Sequence, residues 1–159
     1  TLQRLEDVPI VRRQVEVNDL TVKLNDTAEM ICGSKKLSVL NKITAAQINV
    51  DPEIVMQVFE NLLSNANRYA KTAISIQYAV DNDTFSIIVA DDGKGFDDTA
   101  LKSATDPFYT TEKKLAAEQH LGLGLNICKI LCERHNGSIT LSHGVKAGAT
   151  ITAQFGMAE

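Results

Sequence analysis

The chain has 159 residues, of which 44% are hydrophobic and 23% are charged, and its formal net charge is −4. This length suits one domain with a sizeable core, and the composition is that of an ordinary globular protein. Because there is no long basic run, we do not expect nucleic-acid binding. No apolar stretch reaches the ~18 residues that a membrane-spanning helix needs. The chain starts without Met and without a signal-peptide pattern, so we expect an excised fragment.

Cysteine usage bears on the cellular compartment and on metal binding. The chain has three cysteines, and Cys128 and Cys132 lie four residues apart on a predicted helix. They could form a metal or redox pair, but no other cysteine or clustered histidine completes a ligand set. We therefore expect small buried thiols on one helical face, as in a reducing cytoplasm.

The first predicted elements are a strand, a helix and a second strand. Residues 1–8 have a helical leucine spacing, and residues 1–10 are expected to be the tail of an upstream helix or a linker. Residues 11–17 alternate like a short strand. Asn18 is predicted to cap a helix over residues 19–35, because its side chain can accept from free N–H groups. Residues 36–43 are predicted to form a strand.

The strongest helix signal covers residues 51–71. Asp51 suits the N-cap, Pro52 the first helical position and Glu53 the positive end of the helix dipole. An apolar stripe follows at the helical period, formed by Val55, Val58, Leu62, Ala66 and Tyr69.

The second half of the chain has the pattern of two hairpins with a helix between them. Residues 73–80 and 84–90 alternate in polarity around Asp-Asn-Asp, which predicts a β-hairpin. A polar segment over residues 97–119, a helix over residues 121–135 and a final hairpin over residues 138–155 follow. Since hairpins pair antiparallel, the predicted fold class is α/β: a two-layer sandwich of a mixed, mostly antiparallel sheet with helices on one face.

Three polar side chains share one face of the central helix. Asn61, Asn65 and Arg68 are spaced four and three residues apart, and Tyr69 follows. One buried asparagine would be ordinary, whereas this row suits a ligand with oxygen atoms, negative charge and a flat ring. Amide oxygens can ligate a hard cation, and a guanidinium can pair with phosphate. Tyr69 can pack against a base.

A glycine turn, "DDGKGF", follows a hydrophobic strand. Gly93 alone would make a tight turn, but the second glycine, Gly95, indicates close approach by a ligand. Asp91 at the strand end is placed to accept a hydrogen bond from an exocyclic amine.

Two further motifs are weaker. "DPFYTTEKK" is typical of a solvated loop when it is taken alone. "HLGLGL", residues 120–125, allows a tight turn, a helix start or a ligand contact. Backbone N–H groups at a glycine-opened helix start form an anion site that the helix dipole strengthens.

Taken in order, these motifs resemble the nucleotide-binding domain of sensor histidine kinases, in the superfamily of gyrase, Hsp90, histidine kinase and MutL ATPases (HATPase_c or GHKL). The matching stretches "ENLLSNANRYA", "DDGKGF", "DPFYTTEK", "LGLGLNICKIL" and "GATITAQF" correspond to the N, G1, F, G2 and final glycine boxes. The resemblance covers residues 15–156 and implies the Bergerat ATP-binding fold. Residues 11–159 would form the catalytic domain, with an ATP lid over about residues 97–121, and residues 1–10 would end a dimerisation segment or form a linker.

The resemblance implies a role for each polar residue. Asn65 would ligate a Mg²⁺ ion that bridges the ATP phosphates, and Asn61 would lie on the phosphate or metal side, so both would be catalytic. Arg68 would lie near the phosphates and Tyr69 beside adenine. Asp91 matches the aspartate that binds the adenine amino group, helped by a water.

The glycines and their neighbours complete the implied nucleotide-binding set. Gly93 and Gly95 would let the backbone pass close to the nucleotide, Gly122 and Gly124 would meet the phosphates, and Thr150 would lie beneath the adenine pocket. The members outside the first two boxes are Phe108, His120, Leu121, Gly122, Leu123, Gly124, Leu125 and Thr150.

Two positions depart from the family pattern. His120 stands where the family often has glycine, and it is either a γ-phosphate contact or an ordinary lid residue. Ala149 replaces the usual threonine. No histidine here is followed by the acidic residue typical of the family's phosphoacceptor, and His135 and His143 are expected to have structural, solvent-facing roles.

The branch of the superfamily depends on one glutamate. Hydrolytic members place it four residues before the Mg²⁺-ligating asparagine as a general base, and that position here is Asn61. Glu60 is adjacent, but one residue rotates it by about 100° around the helix. The resemblance therefore implies a histidine kinase domain that transfers the γ-phosphate of Mg²⁺-ATP to a histidine on an upstream dimerisation domain absent from this chain.

Two alternatives remain at this stage: a stand-alone GHKL-type ATPase that uses Glu60, and a nucleotide-fold interaction module without kinase activity. The resemblance also implies a response regulator as downstream partner, a homodimeric full-length protein and a monomeric fragment inactive for autophosphorylation on its own. It implies a cytoplasmic domain of an integral membrane sensor.

Overall fold

The computed structural model describes residues 7–95, 122–143 and 148–158, with the backbone alone for residues 122 and 123. Ten helices and strands lie in these ranges: β1 (Arg13–Glu16), α1 (Val17–Cys32), β2 (Lys36–Asn41), β3 (Gln47–Val50), α2 (Pro52–Tyr69), β4 (Ala73–Asp81), β5 (Thr84–Asp91), α3 (Gly122–Arg134), β6 (Ser138–His143) and β7 (Ala149–Gly156). No helix among the described residues is long and apolar enough to cross a membrane.

The main sheet has five strands in the order β2-β4-β5-β7-β6. Strand β2 pairs parallel with β4, and the other three pairs are antiparallel. Strands β1 and β3 form a separate antiparallel pair. The predicted class, a mixed and mostly antiparallel sheet with helices packed on it, is confirmed.

The core lies between the sheet and the helices. Strands β5 and β7 alternate between buried and half-buried side chains, so one face of each strand packs inward. That inner face includes Phe85, Ile87, Val89, Ile151, Ala153 and Phe155. The helices cover it with residues that include Leu24, Val58, Leu62, Leu125 and Leu131. Each of the larger buried side chains contributes roughly 1.5–3 kcal/mol of hydrophobic stabilisation.

Helix α2 begins as the sequence predicts. Asp51 Oδ1 accepts from the backbone nitrogens of Glu53 at 3.2 Å and Ile54 at 3.3 Å, and Pro52 opens the helix. Most of the predicted apolar stripe is buried, while Tyr69 at its end is half-buried. The stripe fixes the orientation of α2, and with it the direction of its polar row.

One local prediction is wrong, and one strand was not predicted. Asn18 does not cap α1, because the helix already begins at Val17, whose N–H donates to the Ala46 carbonyl at 2.9 Å. The loop before β3 thus supplies the acceptor for the first N–H group of α1. The sequence also missed β3, whose four residues are too few to show a clear alternation and which is defined by its pairing with β1.

His135 is fully buried, which corrects its predicted solvent-facing role. Its Nε2 accepts from the Asp51 backbone nitrogen at 3.0 Å, so its Nδ1–H donates to the Gly156 carbonyl at 2.9 Å. The ring packs edge-on against Phe155. Burial lowers the pKa of His135. A neutral histidine therefore joins the end of α3 to the start of α2 and the end of β7.

Lowering the pH is expected to weaken the fold through His135. The unfolded chain binds a proton near pH 6.5, whereas the folded pKa is lower, so stability present above pH 6.5 is lost as the pH falls. Urea unfolding at pH 7.5 and 5.5 measures the loss. His135→Gln should shrink the difference between the two pH values. An undiminished difference in His135→Gln would contradict this assignment.

The N-terminal residues are hydrogen-bonded to the region around His135. Arg134 Nη2 donates to the Val8 carbonyl at 2.8 Å, and the Val11 N–H donates to Asp51 Oδ2 at 2.8 Å. Arg12 Nε donates to the Gly156 carbonyl at 3.0 Å. Residues 8–12 are thereby attached to the ends of two helices and of β7, and residues 1–6 of the predicted linker lie outside the described residues.

Candidate functional site

Helix α2 carries the predicted polar row. Asn65 is buried, and its Nδ2 has no hydrogen-bond acceptor among the described residues. Asn61 is half-buried and donates its Nδ2 to the Gln57 carbonyl at 3.0 Å, while Arg68 is exposed. A buried amide group without a partner costs about 1–3 kcal/mol. Because Asn65 lies on the same helical face as Asn61, its Nδ2 can donate to a ligand bound along that face.

Helix α3 starts beside this row. Gly122 and Gly124 lie in its first turn, where backbone N–H groups have no partner within the helix. A Cβ on Gly124 would lie 3.3 Å from Asn61 Oδ1, so the glycine allows the two helices to approach closely. Leu123 belongs to the same turn, and the buried Leu125 anchors it in the core. The structure thus brings the second glycine motif next to Asn61.

Asp91 ends β5 as a buried carboxyl group. Its Oδ1 accepts from the backbone nitrogens of Gly93 at 2.8 Å and Ala149 at 3.4 Å. Burial raises the pKa of Asp91, and these two hydrogen bonds oppose the rise. None of the hydrogen bonds among the described residues uses Oδ2. One oxygen is therefore fixed by the backbone, and the other can accept from a ligand.

Glycines bring three backbone segments together around Asp91. A Cβ on Gly93 would lie 2.1 Å from the Tyr69 carbonyl oxygen, so the turn packs directly on the last turn of α2. Gly148 has φ +91°, and its Cβ would lie 2.0 Å from the Asp91 carbonyl oxygen. Gly95 has φ +81° and packs on Gly148. The predicted residues Tyr69, Asp91, Gly93 and Gly95 therefore converge.

Gly148→Ala and Gly124→Ala are expected to have opposite effects on folding. At Gly148 the new methyl would clash with backbone at a positive φ, so stability should fall by more than about 2 kcal/mol. At Gly124 it would meet only the end of the Asn61 side chain, 3.3 Å away. Removing a glycine from a helix gains up to about 1 kcal/mol, so stability should stay or rise. Urea unfolding compares the two variants, and a larger loss in Gly124→Ala would contradict the packing described.

Asp92 holds the turn against the loop that follows α2, a role that the sequence analysis did not assign. Its Oδ1 accepts from the backbone nitrogens of Lys71 at 2.8 Å and Thr72 at 3.0 Å, and its Oδ2 accepts from Thr72 Oγ1 at 2.6 Å. The hydrogen bonds from Thr72 hold the pKa of Asp92 well below its usual range. An acidic residue before a turn glycine is a weak signal, since its partners are distant in sequence.

Thr150 lies away from Asp91. In β7 the inward positions are Ala149 and Ile151, and Thr150 between them is half-buried on the other face of the sheet. It pairs with Ala90, the neighbour of Asp91. The structure therefore gives Ala149, not Thr150, the position beside Asp91.

The remaining predicted contacts, Phe108, His120 and Leu121, lie outside the described residues, as does nearly all of the predicted lid. Within the described ranges, no cluster of three or more His, Cys, Asp or Glu side chains could hold a metal ion. The cysteines are buried free thiols, as expected, and burial raises the pKa of Cys132 to about 12.

Comparison with known proteins gives a family match over most of the chain. A sequence model of the family described as "Histidine kinase-, DNA gyrase B-, and HSP90-like ATPase" matches residues 50–159. The chain is 28% identical over 155 residues to the sensor histidine kinase SpaK of Bacillus subtilis, an alignment that covers 94% of this chain and 34% of SpaK. The chain thus spans about a third of the length of SpaK and of the heme sensor protein HssS of Staphylococcus saprophyticus, to which it is 26% identical over 143 residues.

Solved structures share the fold. The catalytic domain of the histidine kinase ThkA superposes with a TM-score of 0.72 at 19% identity, covering 92% of this chain and 97% of that domain. Full-length ShkA in complex with AMPPNP gives a TM-score of 0.75 at 20% identity, covering 95% of this chain and 32% of ShkA.

Proposed function

Because the chain belongs to the family of histidine kinase-, DNA gyrase B- and HSP90-like ATPases, we propose that it is the ATP-binding catalytic domain of a sensor histidine kinase. It binds Mg²⁺-ATP and transfers the γ-phosphate to a histidine on a separate helical dimerisation domain. The observation that carries the proposal is Asp91, a buried carboxyl group with one oxygen held by backbone N–H groups and the other available to a ligand.

Adenine binding follows from the geometry at Asp91. A carboxylate is an acceptor, so its free Oδ2 suits the exocyclic amine of adenine. Because Oδ1 is fixed by Gly93 and Ala149, the carboxylate binds the amine without losing side-chain freedom at that moment. The Tyr69 backbone carbonyl and Gly93 lie against each other beside it, and these two residues would form a wall for the base.

The phosphates are assigned to the region between α2 and α3. The start of α3 offers anionic oxygens a positive dipole end and backbone N–H groups that have no partner within the helix. The buried Asn65 Nδ2 has no acceptor among the described residues, so it is suited to donate to a phosphate oxygen, while Asn65 Oδ1 is the atom that would ligate Mg²⁺. Bound Mg²⁺ would neutralise phosphate charge, and the protein would mainly position ATP, as phosphoryl transfer requires.

A transfer role is favoured over hydrolysis by the position of Glu60. This exposed residue lines a groove between α1 and α2, together with Lys23 and Met56. It therefore faces α1 rather than Asn61 and the start of α3. With Glu60 facing away from Asn61, water lacks that glutamate as a general base, whereas a histidine acceptor is itself a good nucleophile.

The proposal is tested by supplying labelled ATP, Mg²⁺ and a helical phosphoacceptor domain to the chain. Acid-labile phosphohistidine on that domain is the expected product. Steady-state ATP hydrolysis that is lost in Glu60→Gln would instead indicate an ATPase. Failure to bind any adenine nucleotide at millimolar concentration would indicate an interaction module.

The setting of the full-length protein is part of the same proposal. SpaK is a sensor histidine kinase, and this chain spans a third of its length. We therefore propose a homodimeric membrane sensor whose catalytic domain lies in the cytoplasm and whose downstream partner is a response regulator.

A further inference from the structure

His143 ends β6 on the same face of the sheet as Asp91. It pairs with Ala149 of β7, and the Ala149 N–H in turn donates to Asp91 Oδ1 at 3.4 Å. The preceding inward pair is Leu141 with Ile151, which belongs to the core face. Three adjacent strands therefore place Asp91, Ala149 and His143 in one row at the edge of the site.

The imidazole of His143 packs against the glycine turn. A Cβ on Gly95 would lie 3.1 Å from His143 Nδ1, so the ring stands against the turn that follows Asp91. His143 is exposed, and no hydrogen bond among the described residues uses its ring. Its polar atoms are therefore available to a ligand that reaches Asp91.

Adenine needs both a hydrogen-bond acceptor and a hydrogen-bond donor from the row of Asp91, Ala149 and His143. Adenine presents an amine next to a ring nitrogen, N1, that accepts a hydrogen bond. Asp91 can serve the amine, but the Ala149 side chain is a methyl group and its N–H is already used by Asp91. A neutral imidazole always carries one N–H, so His143 is the member of the row whose side chain can donate.

We propose that His143 is a specificity-determining residue that donates an imidazole N–H to N1 of adenine, an inference that rests on the proposed ATP binding. Guanine carries a hydrogen on N1 and a carbonyl in place of the amine. Its N1–H would face the His143 N–H, and its carbonyl oxygen would face the Asp91 carboxylate. Such mismatches leave polar groups unpaired and select strongly against the wrong base.

The experiment removes the two partners of this bond separately. Calorimetry measures the binding of Mg²⁺-ATP and of Mg²⁺-1-deaza-ATP, in which a C–H replaces N1. The wild-type chain should prefer ATP by about tenfold, the value of one hydrogen bond. His143→Ala should weaken ATP by about the same factor and leave 1-deaza-ATP unchanged. His143→Gln, which restores a donor, should recover part of the preference.

Ser142→Ala is the matched control, because this exposed residue precedes His143 and lies on the opposite face of β6. It should leave both affinities unchanged, and unfolding midpoints should show that all variants fold. An equal loss for both nucleotides in His143→Ala, or no loss for either, would overturn the role of His143 while leaving ATP binding intact. A wild-type chain that binds neither nucleotide would overturn the proposed function as well.

Discussion

Asn65→Ala is expected to lower Mg²⁺-dependent phosphotransfer by at least about a hundredfold while leaving the domain folded. The loss follows because the variant removes an electrostatic contact to the metal and phosphates at the reacting end of ATP. Stability should stay or rise, since the buried Nδ2 without a partner among the described residues is removed. Transfer of labelled phosphate to a supplied acceptor domain measures the activity, and urea unfolding measures the stability.

Asn67→Ala is the matched control for this prediction. Asn67 is also an asparagine of α2, and its buried Oδ1 also has no partner among the described residues. Two residues further along a helix, it is rotated by about 200° from Asn65. It should therefore share the stability effect of Asn65→Ala and keep phosphotransfer within about twofold of the wild type. Equal activity in the two variants would contradict the assignment of Asn65.

Asp91→Asn is expected to separate nucleotide binding from folding. The amide keeps an oxygen for the Gly93 and Ala149 N–H groups but can present its NH₂ to the adenine amine. Loss of a charged acceptor should weaken ATP by at least about tenfold. Calorimetry with Mg²⁺-ATP measures this loss.

The stability of Asp91→Asn should stay or rise at pH 7. Burial raises the pKa of Asp91, so its contribution to stability is present below the unfolded pKa and is lost as the pH rises through the folded one. An amide avoids that loss. Asp92→Asn provides the contrast, because the lowered pKa of Asp92 means that the fold favours its ionised form. Its stability should fall, and a larger ATP loss in Asp92→Asn than in Asp91→Asn would contradict the role of Asp91.

Features with local causes could be predicted from the sequence. Asp51 and Pro52 define the start of α2 within four residues, and the periodic apolar stripe fixes which face is buried. The hairpin of β4 and β5 has an alternating pattern on both sides of a short turn. The polar row could be predicted because the helical period puts its residues on one face of α2. The glycine turn could be predicted because it directly follows the end of β5.

Features that depend on distant contacts could not be predicted. The residues next to His135 in the sequence are typical of an exposed helix end. Its burial results from contacts with Asp51, 84 residues earlier, and with Gly156. Thr150 was assigned by its place in a motif, whereas its face is set by the register of β7 against β5. A shift of one residue moves a side chain across the sheet. For the same reason, the alignment of Asp91, Ala149 and His143 across three strands is visible only in the folded chain.

The most direct test of the account is a calorimetric titration of the wild-type chain with ATP and with GTP, each in the presence of Mg²⁺ and in the presence of EDTA. We expect saturable binding of one ATP per chain, weaker binding without Mg²⁺ and weaker binding of GTP. Equal affinities for ATP and GTP would contradict adenine binding by Asp91. No binding of ATP at millimolar concentration would contradict the account as a whole.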